Sequence, residues 1–178
     1  MLRNERLTRA SVPKRSLLLL SGIPASGKSS FGRYLACEHA FAHYDLECHP
    51  RGWPHPELKA IWDSSGANFV GELKRLHERI ALDWGFPAGA LPRVRELLAV
   101  GVRLVWVAAD IARARALFLQ RGGIPVNNFD SQVQGIQQAG LPNVLQCVRV
   151  EALTIAGAIK APSEILAEIF REELSSFV

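Results

Sequence analysis

The stretch that most constrains this chain is Ser16–Ser30, SLLLLSGIPASGKSS. Its run Gly22, Ile23, Pro24, Ala25, Ser26, Gly27, Lys28, Ser29 is a full match to G-x-x-x-x-G-K-[ST]. Apolar Leu17–Leu20 precedes it, and the helix-compatible segment Phe31–Glu38 follows. That is the strand–loop–helix setting a phosphate-binding loop requires. In such a loop the main-chain N–H groups turn inward as an anion nest, and the next helix adds its positive N-terminus. Gly22 and Gly27 supply conformations and close approaches that a Cβ would block. Lys28 is suited to hold the β- and γ-phosphates, and Ser29 to offer its hydroxyl to Mg²⁺. Gly22 through Ser30 are therefore candidate nucleotide-binding residues.

The 178 residues suffice for one domain with a sizeable core, and 48% hydrophobic against 21% charged residues exclude a disordered or fibrous chain. A net charge of +4 suits anionic substrates but is too mild to argue for nucleic acid as the partner. Part of the excess lies in a basic tail, residues 1–15, where Arg3, Arg6, Arg9, Lys14 and Arg15 face a single Glu5. The tail reads as a solvated leader, and Leu17–Leu20 is too brief for a membrane span or a signal-peptide core. Three cysteines with no C-x-x-C pattern point to reduced thiols and a cytoplasmic location.

Apolar runs bounded by breakers predict strands over Ser16–Ser21, Phe41–Asp45, Arg79–Asp83, Val102–Ala108 and Val144–Val150. Helical segments are predicted over Lys28–Glu38, Pro56–Trp62, Ala67–Glu78, Ala90–Val100, Ile111–Arg121, Asn128–Ala139 and Pro162–Leu174. The alternation describes an α/β fold, a parallel sheet with helices on both faces. Ligands of such sheets lie at the carboxyl ends of the strands.

Two predicted strands end there in a carboxylate. Asp83 can hold the hydration shell of a magnesium ion that Ser29 ligates, or it can cap a turn. Asp45 can accept the proton of an attacking hydroxyl, or it too can cap a turn. Glu47 shares the face of Asp45 only if the chain stays extended. Arg113, Arg115 and Arg121 lie on one helix, with Arg113 and Arg121 about 80° apart around its axis. Arg121, just before the hinge-like Gly122-Gly123, is the candidate for phosphate contact, and Arg115 reads as a solvated side chain. The group Cys37, His39, His43, Cys48 and His49 fits no standard zinc spacing. Trp84 and Phe86 beside Asp83 can stack on a substrate ring or fill the core.

These stretches, GIPASGKSS, the strand ending at Asp45, RIALDWGFP and VRLVWVAADIARARALFLQRGG, resemble the small P-loop kinases. The resemblance covers about Leu17–Val150 and is nearest the zeta-toxin, chloramphenicol-phosphotransferase and polynucleotide-kinase branch, with its AAA-type predicted kinases. It implies a three-layer P-loop NTPase fold with a five-stranded parallel sheet of order 2-3-1-4-5. It also implies ATP and Mg²⁺ at Lys28 and Ser29, Asp45 as base, Arg121 as lid arginine and a lid around 121–139. The chain departs from the group where Leu117 occupies a position that often carries a second lid arginine, a role left to Arg113. No D-x-x-R pattern follows Asp45, although Arg51 is nearby.

The reading is then an ATP- and Mg²⁺-dependent phosphotransferase acting on a hydroxyl of a small molecule. Its acceptor is expected between the Asp45 loop and the Trp84–Arg95 segment, with Arg93 and Arg95 as candidate contacts for an acidic group. Two alternatives stand beside it: a nucleotide-gated binding module or ATPase with little transfer, and a polynucleotide 5′-kinase. Nothing like N-K-x-D follows the fourth strand, which argues against a GTPase.

Overall fold

A computed structural model describes residues 12–48, 50–152 and 160–175, with side chains as far as 171. Most of the basic tail, and His49, lie outside the described residues. Five strands, β1 (Ser16–Ser21), β2 (Ala42–Asp45), β3 (Arg79–Asp83), β4 (Arg103–Ala108) and β5 (Val148–Glu151), form one parallel sheet in the order β2-β3-β1-β4-β5. Between and after them come α1 (Lys28–His39), α2 (Lys59–Ser64), α3 (Gly66–Leu76), α4 (Leu91–Ala99), α5 (Ile111–Arg121), α6 (Val126–Gln138) and α7 (Pro162–Ser175). This is the expected three-layer fold. No helix among the described residues is long and apolar enough to cross a membrane.

The apolar strands make sense once both faces of the sheet are covered. Strand side chains alternate in direction, so a strand buried on both sides must be apolar throughout. Leu18 and Leu20 of β1, Ala81 of β3, and Val105 and Val107 of β4 pack with Phe31 and Leu35 of α1 and Ile165, Leu166, Ile169 and Phe170 of α7. Their neighbours Leu19, Ile80, Leu82, Leu104 and Trp106 enter a second core with α2, α3, α4 and α6. That second core is rich in rings. Phe69 meets Tyr44, Trp53 and Trp62, and Trp62 meets Trp84 edge-on at 5.3 Å. Phe86, 1% exposed, joins this core between Trp84 and Trp106.

One strand is shorter than expected. Val144–Cys147 has strand-like composition, but β5 begins only at Val148, where pairing with Val105 of β4 begins. Upstream, Leu145 N donates to Pro142 O in a turn, and Val144 is half exposed. Without a partner strand, β propensity has no ladder to act through.

The sheet register fixes the rim that matters. Leu20 and Asp45 both lie level with Asp83, so the end of β1 and the two carboxylate-tipped strands share one edge. The loop after β1 fits there because Gly22 adopts φ 145° against β4. A Cβ on Gly22 would stand 2.4 Å from the Val107 carbonyl oxygen. Gly22→Ala therefore combines a backbone clash with a disfavoured φ. It is expected to destabilise the protein by about 3 kcal/mol in urea unfolding, whereas the same change at exposed Gly71, inside α3 with open space around it, should leave stability unchanged or raise it by up to about 1 kcal/mol. Equal losses at both positions would show that the Gly22 contact carries no special weight.

Candidate active site

The loop between β1 and α1 closes in two steps. Gly27, φ 96°, sits in the left-handed region as the N-cap of α1, and Phe31 N then donates to Gly27 O at 3.0 Å to start the helix. Ala25 is also left-handed, with φ 58°. This strained, compact turn draws Lys28 inward, leaving it 6% exposed. Its Nζ donates to Ile23 O at 3.0 Å and Gly22 O at 3.3 Å. Burial lowers the Lys28 pKa below 10.5, and Arg121 adds to that, while Glu47, Asp83 and Asp45 oppose it.

A cavity of about 580 Å³ opens beside the loop. Lys28, Ser29 and Ser30 line one side, and Asp45, Glu47 and Cys48 another. Arg121 lines it from the end of α5, and Phe118, Asn128, Phe129 and Gln132 bound it from α5 and α6. Sequence reasoning expected the Trp84–Arg95 segment to form that last wall, but α6 forms it. Arg93 is occupied elsewhere. It donates to Trp62 O at 2.7 Å, lies 3.3 Å from Glu96 and covers the Trp62 ring, so it fastens α4 to α2. Arg95 is exposed and lies outside this cavity.

A second chamber, about 410 Å³, lies on the other side of the loop. Ala25, Gly27, Ser30 and Arg121 border both spaces. Its floor is apolar, with Val107, Leu117 and Ile165, and Lys160 stands at its edge. Arg113 borders a small adjoining recess of about 100 Å³ with Ser26, Gly27 and Leu117.

The carboxylates differ in their use. Asp45 Oδ1 accepts from Glu47 N at 3.0 Å and Cys48 N at 3.1 Å, so the residue does cap a turn while still lining the cavity. That turn also ends the extended chain, and Glu47 reaches the site by another route than strand alternation. Its Oε1 accepts from Gly85 N at 2.7 Å. Gln132 of α6 donates to Gly85 O from the other side. A Cβ on Gly85 would fall 2.6 Å from Glu47 Oε1 and 3.3 Å from Lys28 Nζ, so any larger residue at this crossing point would push those side-chain ends aside. The L-D-W-G-F run carried this signal, but nothing local tied its glycine to Glu47. The Cys48 thiol is pushed up in pKa by burial and by Asp45.

Asp83 is 2% exposed, and its Oδ2 has no hydrogen-bond partner among the described residues. His43 Nε2 lies 3.7 Å away, too far for a hydrogen bond, with its ring pressed on Gly32 of α1. A buried carboxylate oxygen stripped of water calls for a cation or its hydration shell. Asp83, with the part-exposed Ser29 on the cavity wall, therefore fits a divalent ion at the loop.

The arginines of α5 separate. Arg121 ends the helix just before Gly122, φ 66°, and Gly123, φ 82°. Arg115 is more than a solvated side chain, for its Nε and a terminal nitrogen pair with both oxygens of Asp130 at 2.8 and 3.0 Å, tying α5 to α6. Phe118 and Phe129 pack beneath that bridge at 5.4 Å. Cys37, His39, His43 and Cys48 are spread over four settings: an exposed helix position, contact with Tyr34, the Asp83 niche and the cavity wall.

The chain matches no protein-family model and no curated protein sequence. Its fold is shared with solved structures that bear the name of kinases. A gluconokinase from Sinorhizobium meliloti superposes with TM-score 0.58 at 17% identity, covering 93% of this chain and 97% of that one. A sugar kinase from Janibacter sp. HTCC2649 gives TM-score 0.57 at 14% identity over 92% and 94%. A shikimate kinase from Acinetobacter baumannii, solved with shikimate, gives 0.56 at 13% identity over 92% and 96%.

Lys28 carries a testable cost. Because its folded pKa lies below 10.5, the unfolded chain holds the proton more tightly. The burial penalty is full below the folded pKa and is relieved as pH rises from there to 10.5. Lys28→Met is therefore expected to leave the ligand-free melting temperature at neutral pH unchanged or up to about 4 °C higher. The same variant should lose the upward shift that ATP is expected to give the parent. Differential scanning fluorimetry with and without ATP checks both, and a ligand-free melting point many degrees lower would make the ammonium a structural group.

Proposed function

We propose that this protein is a kinase, moving the γ-phosphoryl group of ATP to a hydroxyl of a small molecule. The observation that carries this reading is the meeting of Lys28, Ser29, Asp45 and Arg121 around one cavity at the carboxyl edge of the sheet. Solved chains of the same fold bear the names gluconokinase, shikimate kinase and sugar kinase, which supports it. The modest net charge supports a small acceptor over a polynucleotide end.

In this reading the triphosphate lies along Gly22–Ser30, including Ile23, Pro24, Ala25 and Ser26, and the base enters the apolar second chamber beside Leu117 and Arg113. Lys28 exchanges its two loop carbonyls for phosphate oxygens, regaining the charge stabilisation that burial removed. Ser29 and Asp83 would hold Mg²⁺, which when bound neutralises charge on the phosphates. Asp45 accepts the proton of the acceptor hydroxyl. That oxygen forms a bond to the γ-phosphorus while the bond to the β,γ-bridging oxygen breaks. The electron pair leaves with ADP, and the acceptor becomes a phosphate monoester. Arg121 faces the transferring group, where charge spreads over the equatorial oxygens. Residues 121–139, hinged at Gly122-Gly123, act as a lid that keeps water from competing with the acceptor.

Asp45→Asn keeps the Oδ1 acceptor that Glu47 N and Cys48 N use, so the turn is retained. Transfer from [γ-³²P]ATP to a hydroxyl-bearing metabolite library should fall by about 10²–10⁴-fold in this variant. ATP affinity should change by less than about threefold, since the phosphate loop is untouched. A parent enzyme that hydrolyses ATP briskly yet labels no acceptor would favour the ATPase or binding-module reading.

A further inference from the structure

The charges around the main cavity are unevenly spent, and that bears on what can sit beside the phosphoryl group. Among the described residues lining it, the cations are Lys28, Arg33 and Arg121. The proposed triphosphate engages Lys28 and Arg121. Arg33 is an exposed residue whose guanidinium donates to Ser30 Oγ at 3.3 Å, on the loop side of the space. Of the other arginines, Arg93 is committed to Trp62 O and Glu96, and Arg115 to Asp130.

Another part of the lining is acidic and fixed. Asp45 and Glu47 stand two residues apart on it, each held through one oxygen by main-chain N–H groups. An ionised carboxylate only accepts hydrogen bonds, so the partners it favours are hydroxyl and ammonium donors. Asn128 and Gln132 add amides on the α6 side, and Phe118 and Phe129 an apolar surface suited to the C–H face of a ring. With its triphosphate share set aside, the remaining space suits a body of monosaccharide size.

We propose that the acceptor is a compact polyol that is neutral or carries an amine, and that Glu47 selects against acids. The inference rests on the kinase reading and adds to it the class of acceptor. A carboxylate or phosphate on the acceptor would face Glu47 and Asp45 across a partly desolvated space, with the rim residue Arg33 as its counter-charge. An amine there would pair with Glu47.

The test uses the full chain, ATP and three matched series: glucose, glucosamine and glucuronate; galactose, galactosamine and galacturonate; and mannose, mannosamine and mannuronate. In any series that is phosphorylated, kcat/KM should be at least about tenfold higher for the neutral or amino member than for the acid. Glu47→Gln keeps an oxygen for Gly85 N and should narrow that ratio to about threefold or less, chiefly by improving the acid. Arg33→Ala should leave the order unchanged. The proposal is overturned by an acid equal to or better than its partners, by a ratio that Glu47→Gln leaves intact, or by Arg33→Ala abolishing transfer to an acid. It also fails if no series is phosphorylated. In that event, a product from the wider metabolite library leaves the kinase reading standing, and no product from either ends both.

Discussion

Everything at the functional edge follows from one ammonium group brought in from water. Lys28 is drawn beneath its own loop, satisfied by two carbonyls and surrounded by acidic side chains from β2, β3 and the turn after β2. A buried charge is tolerated only where its partners are fixed. The chain fixes them by aligning strand ends: Leu20 and Asp45 both stand level with Asp83. The sheet thus serves as more than a scaffold. Its register is what lets one cation answer several carboxylates at once.

The glycines divide this task. At Gly22 the constraint is β4, whose Val107 carbonyl leaves no room for a Cβ. Gly27 has open space around it, and the constraint there is its positive φ alone. Gly85 answers to side chains, sitting between Glu47, Gln132 and Lys28. Through that third glycine, α6 reaches the floor of the cavity, so helix, acidic turn and lysine meet around a single peptide group.

What could be read in the sequence was whatever depends on near neighbours. The loop, β1, β3 and α5 were legible because motif, apolar runs and the Gly122-Gly123 stop all act within a few residues. The doubly buried strands announced themselves as unbroken apolar runs. What escaped was set by distant contacts. The turn capped by Asp45 breaks the alternation that would have placed Glu47. Arg93 looks like a ligand contact on its helix until Trp62 arrives from α2 to take its guanidinium. Phe86 could not be assigned to core or ligand without Trp84 and Trp106 around it. Position 144 reads as strand until the extent of β4 is known.

The two chambers share a party wall made of Ala25, Gly27, Ser30 and Arg121. Occupants on either side are therefore near enough to be joined by a short tether running past the loop. Such a bisubstrate compound would meet its second chamber at high effective concentration, so its affinity would exceed that of either half provided the tether spans the wall without strain. The partition that keeps two ligands apart also sets the length of the linker that would unite them.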